Sequence, residues 1–454
     1  MEAFKMQKIV TETQQKQAVD ALKRLVSKPS VHDDATVSET TPFGKGIDEA
    51  LTEVLAIAKE NGFTTYKDPN GNYGYAEIGS GDQTFGIIGH VDVVPTGDPN
   101  DWDHDPFDAT IVDGHIYGRG TQDDKGPTMA AMFAVKALVD QGYHFNKKIR
   151  FIFGTDEETL WRDMKVYNKK EKPIDMGIAP DAEFPLIYAE KGLEQAYLVG
   201  PGQDDLAVDL QGAFNAVPAK AHYNGPELVA VKQALDNHHF QYENDGANGI
   251  TVLGKSVHAM NAPAGTNAVL RLAIALDDVF PSKPLDFLGK LFKEDATGTN
   301  VLGNIEDKQS GHLTVNISSL KITPTETRMQ LDMRIPVTVN RDDLIEKLKA
   351  AVAPYDLHYE AFDYLAPLYV PTDSHLVKTL MATYQDLTGD DTQPQISGGA
   401  TYARTMHNCV AYGAMLPGTP DFMHQVNENW ELQSMFKAMA IYAEAIKRLC
   451  VDDK

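Results

Sequence analysis

Apolar residues first recur along the chain at helical spacing. Ala18, Leu22 and Leu25 share one face before Pro29 stops the run; Ile47, Leu51, Val54, Leu55 and Ala58 repeat the arrangement, and Gly62 follows as a natural C-terminal stop. The stretch up to about residue 65 therefore reads as helices. From there to about residue 190, short apolar runs alternate with helical stretches. Phe85–Gly89, Ile149–Phe153 and Met176–Ala179 read as buried strands. A helix from about Gly126 to Gln141, with Met129, Met132, Phe133 and Leu138 as its apolar positions, separates the first two. Strand, helix and strand in that order predict an α/β sheet covered on both faces.

The character changes after about residue 193. Leu313, Val315 and Ile317 alternate strictly with polar residues, as do Met329, Leu331, Met333 and Ile335, which is the pattern of antiparallel strands with one wet face. Asn340 then opens a helix, with Asp343 at the capping-box position and Leu344, Leu348 and Val352 on one face. After about residue 363 the α/β style returns, with a helix near Leu376–Leu387 and a last one near Glu431–Leu449. A chain of 454 residues exceeds what one hydrophobic core usually supports. The expected division is an α/β domain over 1–192, an inserted α+β domain with an antiparallel sheet over 193–362, and the second part of the α/β domain over 363–454.

Composition narrows the chemistry mainly through charge. The formal net charge is −24, from 65 acidic against 41 basic residues, and such a field repels polyanions. Nucleic acid and anionic membranes are therefore excluded as partners. The acidity belongs either to a well-solvated surface or, in part, to a cation site. Cys409 and Cys450 are too few for a disulfide framework or a cysteine-rich zinc site. The opening Met1-Glu2-Ala3-Phe4-Lys5 lacks the basic start and apolar run of a secretion signal, and no apolar run is long enough to span a bilayer, so a soluble, cytoplasmic protein is expected.

Four polar clusters follow the predicted strands or their loops, where open α/β sheets hold ligands: His90-Val91-Asp92, Asp123-Asp124-Lys125-Gly126, Asp156-Glu157-Glu158 and Pro180-Asp181. Any one of them alone is ordinary solvated surface. Together they place several negative charges around one crevice, an arrangement that repels itself unless a cation neutralises it. Mixed histidine and carboxylate ligands without thiolate suit Zn²⁺, Mn²⁺ or Co²⁺ in a catalytic site. A carboxylate in the middle has two oxygens, and two metals about 3.5–4 Å apart can each take one.

Gly89-His90-Val91-Asp92-Val93-Val94-Pro95, Tyr117-Gly118-Arg119-Gly120-Thr121-Gln122-Asp123-Asp124-Lys125-Gly126 and Asp156-Glu157-Glu158 resemble the di-zinc family of aminoacylases, glutamate carboxypeptidases, succinyl-diaminopimelate desuccinylases and dipeptidases. Within it the chain is most similar to the PepV-type, carnosinase-like (Xaa-His) dipeptidases. Trp102 with Pro106-Phe107, Glu190-Lys191-Gly192, Asp332-Met333-Arg334-Ile335-Pro336 and Gly398-Gly399-Ala400-Thr401-Tyr402-Ala403-Arg404 extend the likeness over nearly the whole chain. The resemblance implies a mixed-sheet catalytic domain interrupted by a lid domain, and two divalent metal ions, Zn²⁺ or else Mn²⁺ or Co²⁺. His90 and Asp181 would hold one ion, Glu158 and His424 the other, with Asp123 bridging through a residue joined to Asp124 by a cis peptide bond. Asp92 would hydrogen-bond His90. Glu157 would be the general base that takes a proton from water held between the metals and returns it to the leaving amine.

The insert would contact substrate. His258 matches a histidine that stabilises the oxyanion, Arg334 a residue that grips the substrate's C-terminal carboxylate, and Asn215 a further polar contact. His104 reads as part of a surface loop and His407 as a packing residue. Departures from the family pattern are Ala400 in place of a glycine and Leu160-Trp161 after Glu157-Glu158-Thr159; both bear on substrate preference rather than on the ligands. The expected activity is metal-dependent hydrolysis of dipeptides. An N-acyl-amino-acid deacylase is the alternative within the same chemistry, and a non-catalytic metal- or peptide-binding scaffold a third reading. The long insert favours a monomer over a homodimer, with small peptides as the partners.

Overall fold

The computed structural model describes residues 9–246 and 249–452. The opening segment, and with it the expectation about a secretion signal, lies outside the described residues. Contacts divide the chain into two compact units. One is built from the chain up to Tyr188, from Tyr369–Gln395 and from Thr401 onward; the other from Ala189–Leu368 and Ile396–Ala400.

The helical periodicity near the start becomes helices Glu12–Val26 and Lys45–Glu60, whose apolar stripes (Ala18, Leu22 and Leu25; Ile47, Leu51 and Val54) are fully or almost fully buried. In the first unit's sheet, strands follow in the order Thr64–Lys67, Gly74–Ile78, Lys148–Gly154, Thr84–His90, Met176–Ala179 and Cys409–Ala411. Thr84–His90 runs parallel between Lys148–Gly154 and Met176–Ala179, and Cys409–Ala411 adds parallel to Met176–Ala179. The first two strands pair antiparallel, so the sheet is mixed as expected. Near-continuous apolar runs make its middle: Phe85, Ile87, Ile88, Ile149, Phe151 and Ile152 are all buried, as parallel strands covered on both faces require.

Helix Lys125–Asp140 is buried on almost every side and packs against helices Glu12–Val26 and Leu432–Cys450. Its first turn presses on the strand that ends at His90. A Cβ on Gly89 would lie 2.1 Å from Thr128 Oγ1 and 2.3 Å from Asp124 Oδ2, so only glycine lets strand and helix meet this closely. Three parallel strands thus end side by side, and the residues after Gly89, Gly154 and Ala179 emerge at one edge.

The second unit holds a five-stranded antiparallel sheet in the order Val208–Leu210, Thr314–Ile322, Glu326–Ile335, Gly192–Pro201 and His358–Leu365. Leu198, Leu320, Met329 and Leu331 share one core with Leu272 and Leu276 of helix Ala268–Val279 and with Leu344 and Leu348 of helix Arg341–Val352. Asn340 caps the latter helix, its side chain accepting from the N–H groups of Asp342 and Asp343. One expectation is corrected: the alternate positions of the central hairpin do not form a wet face along its full length. Thr314, Asn316, Ser318, Asp332 and Arg334 are buried, because the segment Ala259–Ala264 and the loop around residue 215 cover them. Among the described residues no helix is long and apolar enough to cross a membrane.

The tight strand–helix contact gives a direct test. Gly89→Ala is expected to lower the melting temperature, at a cost of about 1–3 kcal/mol, because the buried Thr128 hydroxyl and Asp124 carboxylate that the new methyl would meet must move. An unchanged thermal transition would show that this contact yields freely.

Candidate active site

The residues expected at the metal site all belong to the first unit, and the structure brings them together. His90 ends its strand, Glu157 and Glu158 follow Gly154, and Asp181 follows Ala179. Asp123 lies in the loop leading into helix Lys125–Asp140, and its peptide bond to Asp124 is cis. His424 sits on a loop of the C-terminal stretch with its backbone in the left-handed region, φ 62°.

Asp123 is at the centre. Its Oδ1 is 3.0 Å from His90 Nε2, and its Oδ2 is 3.0 Å from His424 Nε2. Asp181 Oδ2 is 3.6 Å from His90 Nε2, and Glu158 Oε2 is 3.1 Å from His424 Nε2. Two sets of donor atoms result, His90–Asp123–Asp181 and Asp123–Glu158–His424, each with its atoms within 4.8 Å of one another.

The imidazole of His90 tests whether a cation fits. Its Nδ1 lies 2.9 Å from the backbone carbonyl of Asp92, which can only accept, so Nδ1 carries a proton. In the neutral ring Nε2 is then a bare lone pair, buried and aimed at two carboxylates, and it makes no hydrogen bond. Lone pair facing lone pair is unfavourable unless a proton or a metal ion lies between, and this donor set is the kind that divalent cations take. Asp92 differs in detail from the expectation. Its carbonyl, not its carboxylate, is the close partner of His90; Oδ1 stands 3.6 Å from Nδ1, while Oδ2 accepts from the Glu158 N–H at 3.0 Å. Asp92 thereby ties His90 to the strand end that bears Glu158.

Proton affinities follow from the crowding. Burial would raise the Asp123 carboxyl, but the imidazoles of His424 and His90 beside it outweigh that and hold the group below its ordinary range. Burial and the charge of Asp123 push Glu158 up to about 7, against the hydrogen bond from His424. His424, between Asp123 and Glu158, is raised to about 11. Glu157 is pushed well above the usual carboxylate range by desolvation, with the charges of Asp181, Glu158 and Asp123 adding to it and His90 opposing. Among the described residues its carboxylate has no hydrogen-bond partner, whereas Glu158 lies 3.1 Å from His424 Nε2 and Asp156 is held by Arg162.

Asp156 does not join them. Arg162 grips it through Nε and Nη2 at 2.7 and 2.6 Å, so it shapes the turn that carries Glu157 and Glu158. His104 lies in a surface loop against Tyr117, as expected. His407, expected to pack, is exposed; its neighbour Met406 turns inward instead.

Asn215, His258 and Arg334 lie in the second unit. Asn215 and His258 are exposed side chains on adjacent stretches of backbone: Ala216 bridges His258, and Ala259 N–H donates to Asn215 O at 2.8 Å. His258 Nδ1 accepts from Met260 N–H at 3.2 Å, which leaves the proton on Nε2. Burial and the charge of Arg334 lower its pKa, so the ring is neutral around pH 7. Arg334, expected as a substrate contact, is itself buried; its Nε and Nη2 donate to Asp332 at 2.7 and 3.2 Å and its Nη1 to Gly398 O at 2.8 Å. One N–H remains on each terminal nitrogen.

Sequence reading missed what supports this pair of loops. Buried Asn316 donates to the carbonyls of Phe214 and Ala216, on either side of Asn215, and accepts from Asn267 at 3.1 Å. The available signal was an amide between Val315 and Ile317, but alternation alone assigns such a residue to solvent.

A mixed α/β unit whose strand ends present two ligand sets sharing one aspartate is the build of a metal-dependent hydrolase. The chain belongs to peptidase family M20/M25/M40, whose family model matches residues 86–448. It is 37% identical over 446 residues to the "Putative dipeptidase YtjP" of Bacillus subtilis (strain 168), across 92% of this chain and 94% of that protein. A Staphylococcus haemolyticus (strain JCSC1435) protein of the same description is 34% identical over 460 residues, across 96% of this chain and 97% of that one. The crystal structure of aminoacylhistidine dipeptidase from Vibrio alginolyticus shares the fold over 99% of both chains, with TM-score 0.60 and 13% identity.

The support of Asn215 can be tested without an assay. Asn316→Asp turns a donor towards two carbonyls into an acceptor and is expected to cost about 1–3 kcal/mol, read as a lower melting temperature. A transition as high as that of the unsubstituted protein would mean that water or loop movement satisfies those carbonyls.

Proposed function

We propose that this protein is a metal-dependent dipeptidase. The observation that carries the reading is the division of the two Asp123 oxygens between His90 and His424, with Glu157 unengaged beside them. The dipeptidase descriptions of relatives sharing a third or more of its residues support the substrate class.

In this reading His90 and Asp181 hold one divalent ion, Glu158 and His424 a second, and Asp123 both. Zn²⁺ suits the mixed imidazole and carboxylate set, with Mn²⁺ or Co²⁺ as alternatives. When bound, two such ions polarise a peptide carbonyl and make water at the site easier to deprotonate. Glu157 takes the proton from the attacking water and delivers it to the amine nitrogen as the C–N bond breaks. Neutral His258, with its proton on Nε2, donates to the carbonyl oxygen as negative charge develops there. Arg334 offers its two remaining N–H groups to the substrate's C-terminal carboxylate, and Asn215 adds a polar contact. The inserted unit serves as a lid that limits substrates to short peptides, and its length favours a monomer. The net charge of −24 and two cysteines, too few for a disulfide framework, fit a cytoplasmic enzyme without nucleic-acid or membrane partners.

Dipeptides with a free amino group, β-Ala-His among them, should be cleaved by protein supplied with Zn²⁺, Mn²⁺ or Co²⁺ and spared after chelation. Glu157→Ala should lower kcat by about 10²–10⁴-fold while metal content stays unchanged. Cleavage confined to N-acetylated amino acids would move the protein to the deacylases, and no turnover with any metal would leave the scaffold reading.

Arg334→Lys separates binding from chemistry. It keeps the charge but loses the planar fork, so KM for free dipeptides should rise at least about tenfold. An unchanged KM would remove Arg334 from the substrate's carboxylate.

A further inference from the structure

The loop that carries His424 has short turns of its own, from Met423 and Gln425 back to Asp421 and Phe422, and a tie from Asn427 to Asp103, but none of these reaches the residues next to Asp123. His424 and Asn427 both have positive φ, 62° and 59°, a region that side chains other than glycine's disfavour. The His424 side chain is 56% exposed, and the segment 416–422 lines one wall of a cavity of about 390 Å³.

Two buried side chains fasten this loop to the one that carries Asp123, and they do so reciprocally. Gln122 is 1% exposed. Its Nε2 donates to the carbonyls of Pro420 at 3.0 Å and Asn429 at 2.8 Å, and its Oε1 accepts from Phe422 N–H at 3.0 Å. These three groups bracket His424 on both sides. From the opposite side, fully buried Glu428 accepts from Arg119 Nη1 at 2.7 Å and from the N–H groups of Gly120, Gln122 and Asp123 at 3.1, 2.8 and 3.3 Å. Each loop thus sends one side chain into the backbone of the other, and the 3.0 Å approach of His424 Nε2 to Asp123 Oδ2 lies between the two fastenings.

We infer that Gln122 and Glu428 are positioning residues that divide the control of the two ion positions: Gln122 sets the position formed by Asp123, Glu158 and His424, whereas Glu428, through the backbone of Asp123, sets both. The inference rests on the metal reading above. Gln122 touches no proposed ligand atom and acts only on the loop that delivers His424. Loss of its amide frees that loop while leaving His90, Asp123 and Asp181 in place. Glu428 holds the N–H of the shared aspartate itself, so its loss disturbs both.

Metal content of the full-length protein, counted after equilibration with buffered free Zn²⁺, tests this without any turnover. The unsubstituted chain should bind two ions. Gln122→Leu should retain one ion at unchanged affinity and bind the other about 10–100-fold more weakly, the range usual when the residues that orient ligands are removed. His424→Ala should lose the same ion. Glu428→Gln should weaken both. Gln122→Glu keeps the acceptor for Phe422 but turns oxygens towards two carbonyls, so it should behave as Gln122→Leu does. In chelator the Gln122 variants should still unfold in one cooperative transition, at a melting temperature lowered modestly by the unpaired carbonyls of Pro420 and Asn429.

Two ions at parental affinity in Gln122→Leu would overturn the inference while leaving the metal reading intact. Equal weakening of both ions in the Gln122 variants, or collapse of their melting temperature in chelator, would overturn it too, since Gln122 would then support the unit as a whole. Fewer than two ions on the parent would overturn the metal reading and the inference with it.

Discussion

The carboxylate of Asp123 and the charges around it are the constraint that the rest of the first unit serves. Asp181, Glu157 and Glu158 converge on the same small volume, with Asp124 buried just behind. At such distances in a desolvated site, like charges repel by several kcal/mol unless something positive lies among them. The fold does not avoid the conflict; it fixes it in place. Parallel strands rich in Phe and Ile hold the acids at one edge, Gly89 lets a helix close against their backs, and the Arg162–Asp156 pair keeps one further carboxylate out of the crowd. Rigid apolar framework and unstable polar edge depend on each other. Without the framework the acids would spread into water, and without the edge the framework would have no selective purpose visible in its geometry.

How much of this the sequence disclosed depends on the kind of residue. Long elements with a single period were legible: the strand ending at His90, the helix after Asp124 and the hairpin around residues 314–335 stand where their periodicity places them. So were the clusters at strand ends, since a histidine or carboxylate pair directly after an apolar run stands out. Partnerships between distant residues were not. Nothing local marks Glu428 as the acceptor for four donors some 300 residues away, because a buried acid and an exposed one look alike in a string of letters. For the same reason Asn316 read as solvent-facing, and Asp92 was assigned to His90 through its side chain although its carbonyl does that work.

The two units reach polar order by different means. In the first, charge is concentrated at a sheet edge. In the second, neutral amides and one arginine–aspartate pair are threaded between apolar layers, where Asn267, Asn316 and Arg334 spend their donors on backbone carbonyls and on Asp332. Neutral hydrogen bonds hold backbone without adding to the net charge. That is a suitable means of presenting His258 as an uncharged donor, since an imidazolium beside Arg334 would be disfavoured.

The order in which the first unit's parts are joined has a consequence for how the protein comes into being. Strand Cys409–Ala411 pairs with Met176–Ala179, and helix Leu432–Cys450 covers Lys125–Asp140, so the sheet waits for its last strand and its main helix for its cover until the ribosome has added more than two hundred further residues. The second unit, drawn almost wholly from one continuous stretch, has everything it needs much earlier. A nascent chain therefore carries a finished inner unit within an unfinished outer one, its apolar strands open to solvent and to chaperones. His424 arrives only after the whole of that inner unit has been made. The proposed ligand set is therefore completed late, and a chain that stops short of residue 424 cannot assemble it.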